Sequence, residues 1–208
     1  MSILNTLACS LGRRDEVPNI DLAVEVVRKN DNAAVKELVE NLSNKSTAIQ
    51  NDCIKTLYEI GERKPALISE YVKAFIPLLK SKNNRMQWGI MHTLNTITLE
   101  YPEIIYSSLP EILSAAEKGT VITKDHFMNI LSKLGAIIKY SETVTELYID
   151  QLKTSFVNQL PTYAENALPM INEKNKSLFL KIITSRLKDV ETESKKKRLE
   201  KLIKKLSM

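Results

Sequence analysis

A polar loop beside the sole tryptophan is the first place to look for chemistry. Lys82-Asn83-Asn84-Arg85 run into Trp88. Amide and guanidinium donors next to an aromatic ring can anchor a peptide or stack on a base. The structural alternative is a loop whose asparagine caps the following helix, with Trp88 packed inside a helical stack. Trp88 lies three residues before Met91 on one helical stripe, which favours the packed reading.

A second constellation is a column. Asn51, Trp88 and Asp125 are spaced by 37 residues. If that is the period of stacked helices, neighbouring units lie roughly 10 Å apart, and an aromatic ring and a carboxylate share one groove. Asp125 also falls near the start of its helix, where the dipole favours a carboxylate for structural reasons alone.

The third is a basic tail. Lys195, Lys196, Lys197, Arg198, Lys201, Lys204 and Lys205 stand against Glu193 and Glu200 in residues 193–208, which accounts for the whole net charge of +5. The rest of the chain is balanced. Such a tail can bind phosphate backbones, an acidic partner or anionic lipid, but a solvated capping helix is the favoured reading. Its run of four cations opens a helix with the wrong sign for the dipole, so fraying is expected there.

Other chemistry is thin. His92 and His126 are 34 residues apart without CxxC, HxH or HExxH patterns, so no metal is expected. No GxxxxGK[ST] or GxGxxG motif occurs, and no cofactor is expected either. Single carboxylates such as Glu59 and Glu62 read as solvated helix faces.

The elements that must position these groups are helices that repeat. Sliding Ala48–Gly119 by 37 residues puts Ile54 on Met91, Leu57 on Leu94, Ile60 on Ile97, Pro65 on Pro102, Ile68 on Ile105 and Phe75 on Ile112. Backwards, Leu57 falls on Ile20, Val72 on Val35 and Leu79 on Leu42; forwards, Leu94 falls on Leu131 and Ile97 on Leu134. A period of this length with two apolar helical stripes per unit predicts an all-α fold, a right-handed α-solenoid of helix pairs. The column Gly61, Thr98, Gly135 is small, which predicts close backbone approach between units. Pro65 and Pro102 suit the first turn of each second helix. Pro77 and Pro110 fall inside that helix and must either bend or shorten it.

Helices are predicted at about 2–11, 19–29, 32–43, 47–62, 66–80, 85–100, 103–117, 123–139, 143–157, 160–172, 176–190 and 194–206, in one domain over 1–208 with a basic capping helix. The apolar start with Cys9 after Leu7-Ala8 lacks a preceding basic region and reads as the first helix. No apolar run approaches the roughly 20 residues of a transmembrane segment. Two distant cysteines fit a reducing, cytoplasmic setting.

The pattern resembles the HEAT family of helical repeats, including small bacterial HEAT-like proteins. Family units open with an apolar and then a basic residue, followed by an apolar ladder ending in a small one. Ile49-Gln50 and Met86-Gln87 stand at those places, with Leu57 to Gly61 and Leu94 to Thr98 closing the ladders. Glutamine replaces the usual basic residue. The resemblance covers residues 17–157 best and implies a non-catalytic binding or scaffold role, with a protein or peptide held on a concave side lined mainly by second helices. Tyr71, Lys80, Asn84, Arg85, Trp88, Lys124 and Asp125 are the expected contacts. The alternative is a nucleic-acid binder. The Asn51–Trp88–Asp125 column is similar to the aromatic and Asp pair of HEAT-like alkylpurine DNA glycosylases, which would imply base excision; a single tryptophan and a neutral body speak against it.

Overall fold

The computed structural model describes residues 2–207; the outermost residues of the expected 1–208 domain, 1 and 208, lie outside the described residues. Among the described residues all regular structure is helical. They form two compact units, 1–127 and 128–208, with the division inside one helix.

In the first unit, helices α1 (Val17–Lys29), α2 (Asn32–Glu40), α3 (Thr47–Arg63) and α5 (Asn84–Thr96) follow the predicted stripes closely. Apolar residues three and four apart put Leu57 and Leu94 at 0 % exposure, so α1 packs on α3 and α3 on α5 through one ladder. Helices α2, α3 and α5 begin where the N-cap side chain takes up free N–H groups. Asp31 accepts from Ala34 N–H at 2.9 Å, and Asn83 accepts from Arg85 and Met86 N–H. The loops are held by equivalent glutamines. Gln50 donates to the Asn44 carbonyl at 2.7 Å, and Gln87, 37 residues on, donates to the Leu79 carbonyl at 3.1 Å.

The second helix is divided in two successive repeats. The stretch predicted as one helix over 66–80 is a series of 3-10 turns, Pro65–Leu67, Ser69–Tyr71 and Ile76–Lys80, around a single α turn, α4 (Val72–Phe75). The next unit breaks into α6 (Pro102–Ser107) and α7 (Leu109–Lys118). Pro110 at the head of α7 has no N–H to give and its ring collides with a continuing helix, so the chain must restart there. The divided segments pack on one another. The predicted helix over 2–11 is also overturned. Only Ile3–Thr6 forms a 3-10 turn, because Ala8 and Cys9 N–H are taken by the side chains of Asn19 and Asp52 instead of by helix carbonyls.

The predicted close approach is present at Gly61. A Cβ there would meet Thr96 Oγ1 on α5 and come within 2.8 Å of Ile68 Cδ1. Gly89 is similar, with Ile54 Cγ1 at 2.6 Å from a notional Cβ.

Helix α8 (Val121–Gly135) contains the division between units. Beyond it, the second unit contains α9 (Ser141–Leu152), α10 (Leu160–Ala167), α11 (Lys176–Arg186) and α12 (Glu193–Ser207). Both α10 and α11 pack on α9 and on α12. The Arg186 guanidinium closes the end of α9, donating to the carbonyls of Leu152, Lys153 and Ser155 at 2.8–3.0 Å. The Tyr148 hydroxyl, 0 % exposed, donates to the Tyr163 carbonyl at 2.9 Å, and burial pushes its pKa up. The basic helix α12 is docked. Leu199 and Leu202 are buried, Arg198 holds Glu165 at 2.6 Å, and Lys195 reaches Asn158 at 2.7 Å.

Candidate functional site

The groups with most chemical potential in the first unit lie on α3, α5 and α8, on a single run of rings. Trp88 and Tyr58 have centroids 5.7 Å apart at 43°. Tyr58 stacks on His92 at 4.4 Å, and His92 on His126 at 4.0 Å with the planes 17° apart. Helical spacing explains the assembly. Trp88 and His92 are four residues apart on α5, so both project toward the same side, where Tyr58 on α3 and His126 on α8 complete the row.

Ions flank the rings. The Arg85 guanidinium sits 5.2 Å from the Trp88 ring centroid and is bonded to Glu16. Lys55, 6 % exposed, lies over Tyr58 at 4.8 Å and bridges Glu16 Oε2 at 3.1 Å and Glu59 Oε1 at 2.6 Å. Glu59 also holds Arg63 at 2.5 Å. Burial pushes the Glu16 and Glu59 carboxyls up, but the hydrogen bonds from Arg85 and Lys55, and from Lys55 and Arg63, bring both below the usual range. The same burial lowers Lys55, and Glu59 with its other partners more than reverses it. This network is closed on itself, since cation and carboxylate satisfy each other.

His92 Nε2 lies 2.5 Å from Glu62 Oε1. Burial is the largest influence on its pKa and pushes it below the ordinary histidine value, with the Glu62 carboxylate opposing only in part. The neutral ring with Nε2–H toward Glu62 is therefore the form that fits. His126 Nδ1 meets the Asn95 amide at 3.3 Å. Among the described residues no three His, Cys, Asp or Glu side chains converge as a metal would need.

The expected contact residues are scattered by the fold. Arg85 and Trp88 belong to the ring row, and Trp88 is half-buried. Asn84 is exposed at the first residue of α5, while its neighbour Asn83 does the capping and also donates to Asn51 Oδ1 at 2.8 Å. Asp125 is half-buried on α8. Lys124 is 7 % exposed, with its ammonium 5.7 Å from the Phe127 ring, and burial lowers its pKa. Tyr71 is half-buried, and Lys80 is exposed on a different surface, where it lines a cleft of about 500 Å³ with Gln87, Pro110, Glu111 and Lys118. Tyr58, His92 and His126 were not singled out as site residues. The 37-residue column hides them, because Tyr58 is equivalent to Asn95 and His126 to Gly89.

With this geometry in hand, solved structures give the architecture a reference. An engineered protein from the Northeast Structural Genomics Consortium superposes with a TM-score of 0.65 at 16 % identity, covering 100 % of this chain and 97 % of that one. The fold is a helical-repeat solenoid. A designed armadillo repeat protein, YIII(Dq)4CqI, is similar at a TM-score of 0.63 and 11 % identity, covering 98 % and 99 %. At these identities the likeness speaks for the solenoid fold alone. A search with the sequence finds no matching family model and no matching curated protein. No helix among the described residues is long and apolar enough to cross a membrane.

Proposed function

We propose that this solenoid is a non-catalytic binding module, and that it holds a protein or peptide against the ring row of α3, α5 and α8. The half-buried Trp88, fixed between Tyr58 and Arg85, carries the reading. An aromatic side chain already locked by its neighbours loses little entropy when a partner covers it, so its apolar area converts efficiently into affinity. Arg85, with Glu16 beside it, forms the polar rim that such an anchor needs.

The closed ion network supports a peptide over a phosphate backbone. Lys55, Arg63 and Arg85 are each engaged by a carboxylate, so a nucleic acid would have to displace Glu16 and Glu59 to reach them. Nucleic-acid binding and base excision are therefore not favoured on this face.

Selection of binders from a random peptide library, read against wild type and Trp88→Ala, tests the proposal. Peptides that need this face should lose at least about tenfold in affinity to the variant. Affinity should change little between about 50 and 200 mM salt, where a phosphate-driven interaction falls steeply. Peptides that bind both proteins equally would refute the assignment of the face.

A further inference from the structure

The second unit carries a cleft that the ring row does not explain. It measures about 580 Å³ and is lined by Ile138, Glu142, Thr145, Glu146, Glu173 and Asn175 among others. Ile138, at 96 % exposure, stands almost wholly in solvent. Glu142 and Glu146 are one turn apart on α9, and Glu173 lies in the loop before α11. Lys174 pairs with Glu142 only loosely, at 3.8 Å with both side chains more than four-fifths exposed, so the cleft keeps an acidic excess.

Thr145 adds an independent sign. Its side chain lines the cleft, it is 3 % exposed, and Oγ1 has no hydrogen-bond partner among the described residues. A buried hydroxyl left this way is costly. Threonine on a helix normally has a second χ1 rotamer available, so a donor seated in the cleft can be met by a turn of the side chain.

The same chain presents a matching surface. On α12, Lys197, Lys201, Lys204 and Lys205 follow the spacing i, i+4, i+7 and i+8, which makes one stripe. All four are exposed or half-exposed and none is in an ion pair among the described residues. The stripe lies away from the face that Leu199 and Leu202 bury. Lysine stems also cover apolar surface while their ammonium groups stay on polar partners, which is what Ile138 beside three carboxylates calls for.

We propose that the acidic cleft receives the lysine stripe of α12 from a second copy of this chain. Ammonium groups meet Glu142, Glu146 and Glu173, one of them supplies the donor that Thr145 Oγ1 lacks, and the stems lie across Ile138. The contact joins unlike surfaces, cleft to helix, so each pair leaves a free cleft or a free stripe unless a two-fold arrangement uses both. A cleft of this size places the association among weak, concentration-dependent ones.

Charge reversal tests this on the full chain by sedimentation velocity. Wild type should sediment faster as its concentration rises. Glu142→Lys/Glu146→Lys and Lys204→Glu/Lys205→Glu should each weaken self-association at least about tenfold. An equimolar mixture of the two variants should restore it, because the reversed helix then meets the reversed cleft. Glu173→Lys and Lys201→Glu provide a second pair on exposed sites, with circular dichroism confirming the fold of each. Wild type that stays monomeric at all concentrations, variants that associate like wild type, or a mixture that fails to recover would each overturn the proposal.

Discussion

Asn19 Nδ2 donates to Asp52 Oδ1 at 2.9 Å, joining α1 to α3 beneath the N-terminal segment. Both partners are shared. Asn19 Oδ1 accepts from Ala8 N–H at 3.0 Å, and Asp52 Oδ2 accepts from Cys9 N–H at 2.7 Å. Two side chains thus satisfy the backbone where the segment leaves its 3-10 turn, and Leu7 and Ala8 are buried as a result. Asp52→Ala strands the Asn19 amide, which is 0 % exposed, together with the Cys9 N–H. The expected loss is about 2–3 kcal/mol in urea unfolding. Cys9 should also become more readily alkylated as the segment loosens. A loss within about 0.5 kcal/mol would mean that these groups find other partners.

Gly61 tests the packing between successive units. Its missing side chain makes room for Thr96 Oγ1, so Gly61→Ala should cost about 1–3 kcal/mol. Much of that cost should vanish in a Thr96→Ala background, because the nearest clashing atom is then gone. Additive effects in the double-mutant cycle would show that the two positions do not press on each other.

His92 predicts a pH dependence with a definite sign. Its folded pKa lies below the unfolded value of 6.5, because burial disfavours the charged ring more than Glu62 favours it. The unfolded state therefore binds the proton first as pH falls. This residue's contribution is complete above that value, declines as pH drops through it, and levels off below the folded pKa. Thermal melts of His92→Phe, which keeps a ring against Tyr58, should show a shallower fall in stability from about pH 7.5 to 5.5 than wild type. Identical slopes would remove His92 as the responsible group.

Helix existence was legible because apolar periodicity is a one-dimensional signal. Leu57, Leu94 and Leu131 mark a ladder in the sequence, and all three are fully buried. The division of the second helix was legible only as a choice between bending and shortening. Pro110 forbids continuation, yet the path of the chain past a proline depends on the surface its next residues pack against. The helix expected over 2–11 was misread for a related reason. Its apolar residues have helical spacing, but Asn19 and Asp52 outcompete the helix carbonyls for Ala8 and Cys9 N–H. Nothing in the local sequence announces partners 11 and 43 residues away.

What the amino-acid order determined alone is the period, the small column at Gly61 and the basic character of the last helix. These depend on neighbours within a turn or on strict repetition, so they survive without coordinates. Tertiary structure decided the ring row. Tyr58, Trp88, His92 and His126 occupy four different positions within the repeat, and no alignment of one unit on the next brings them together. Only side chains leaning across adjacent helices do so, with ring centroids 4.0–5.7 Å apart. Side-chain direction on a packed helix is set by the helix beside it, and that is information a repeat carries in three dimensions.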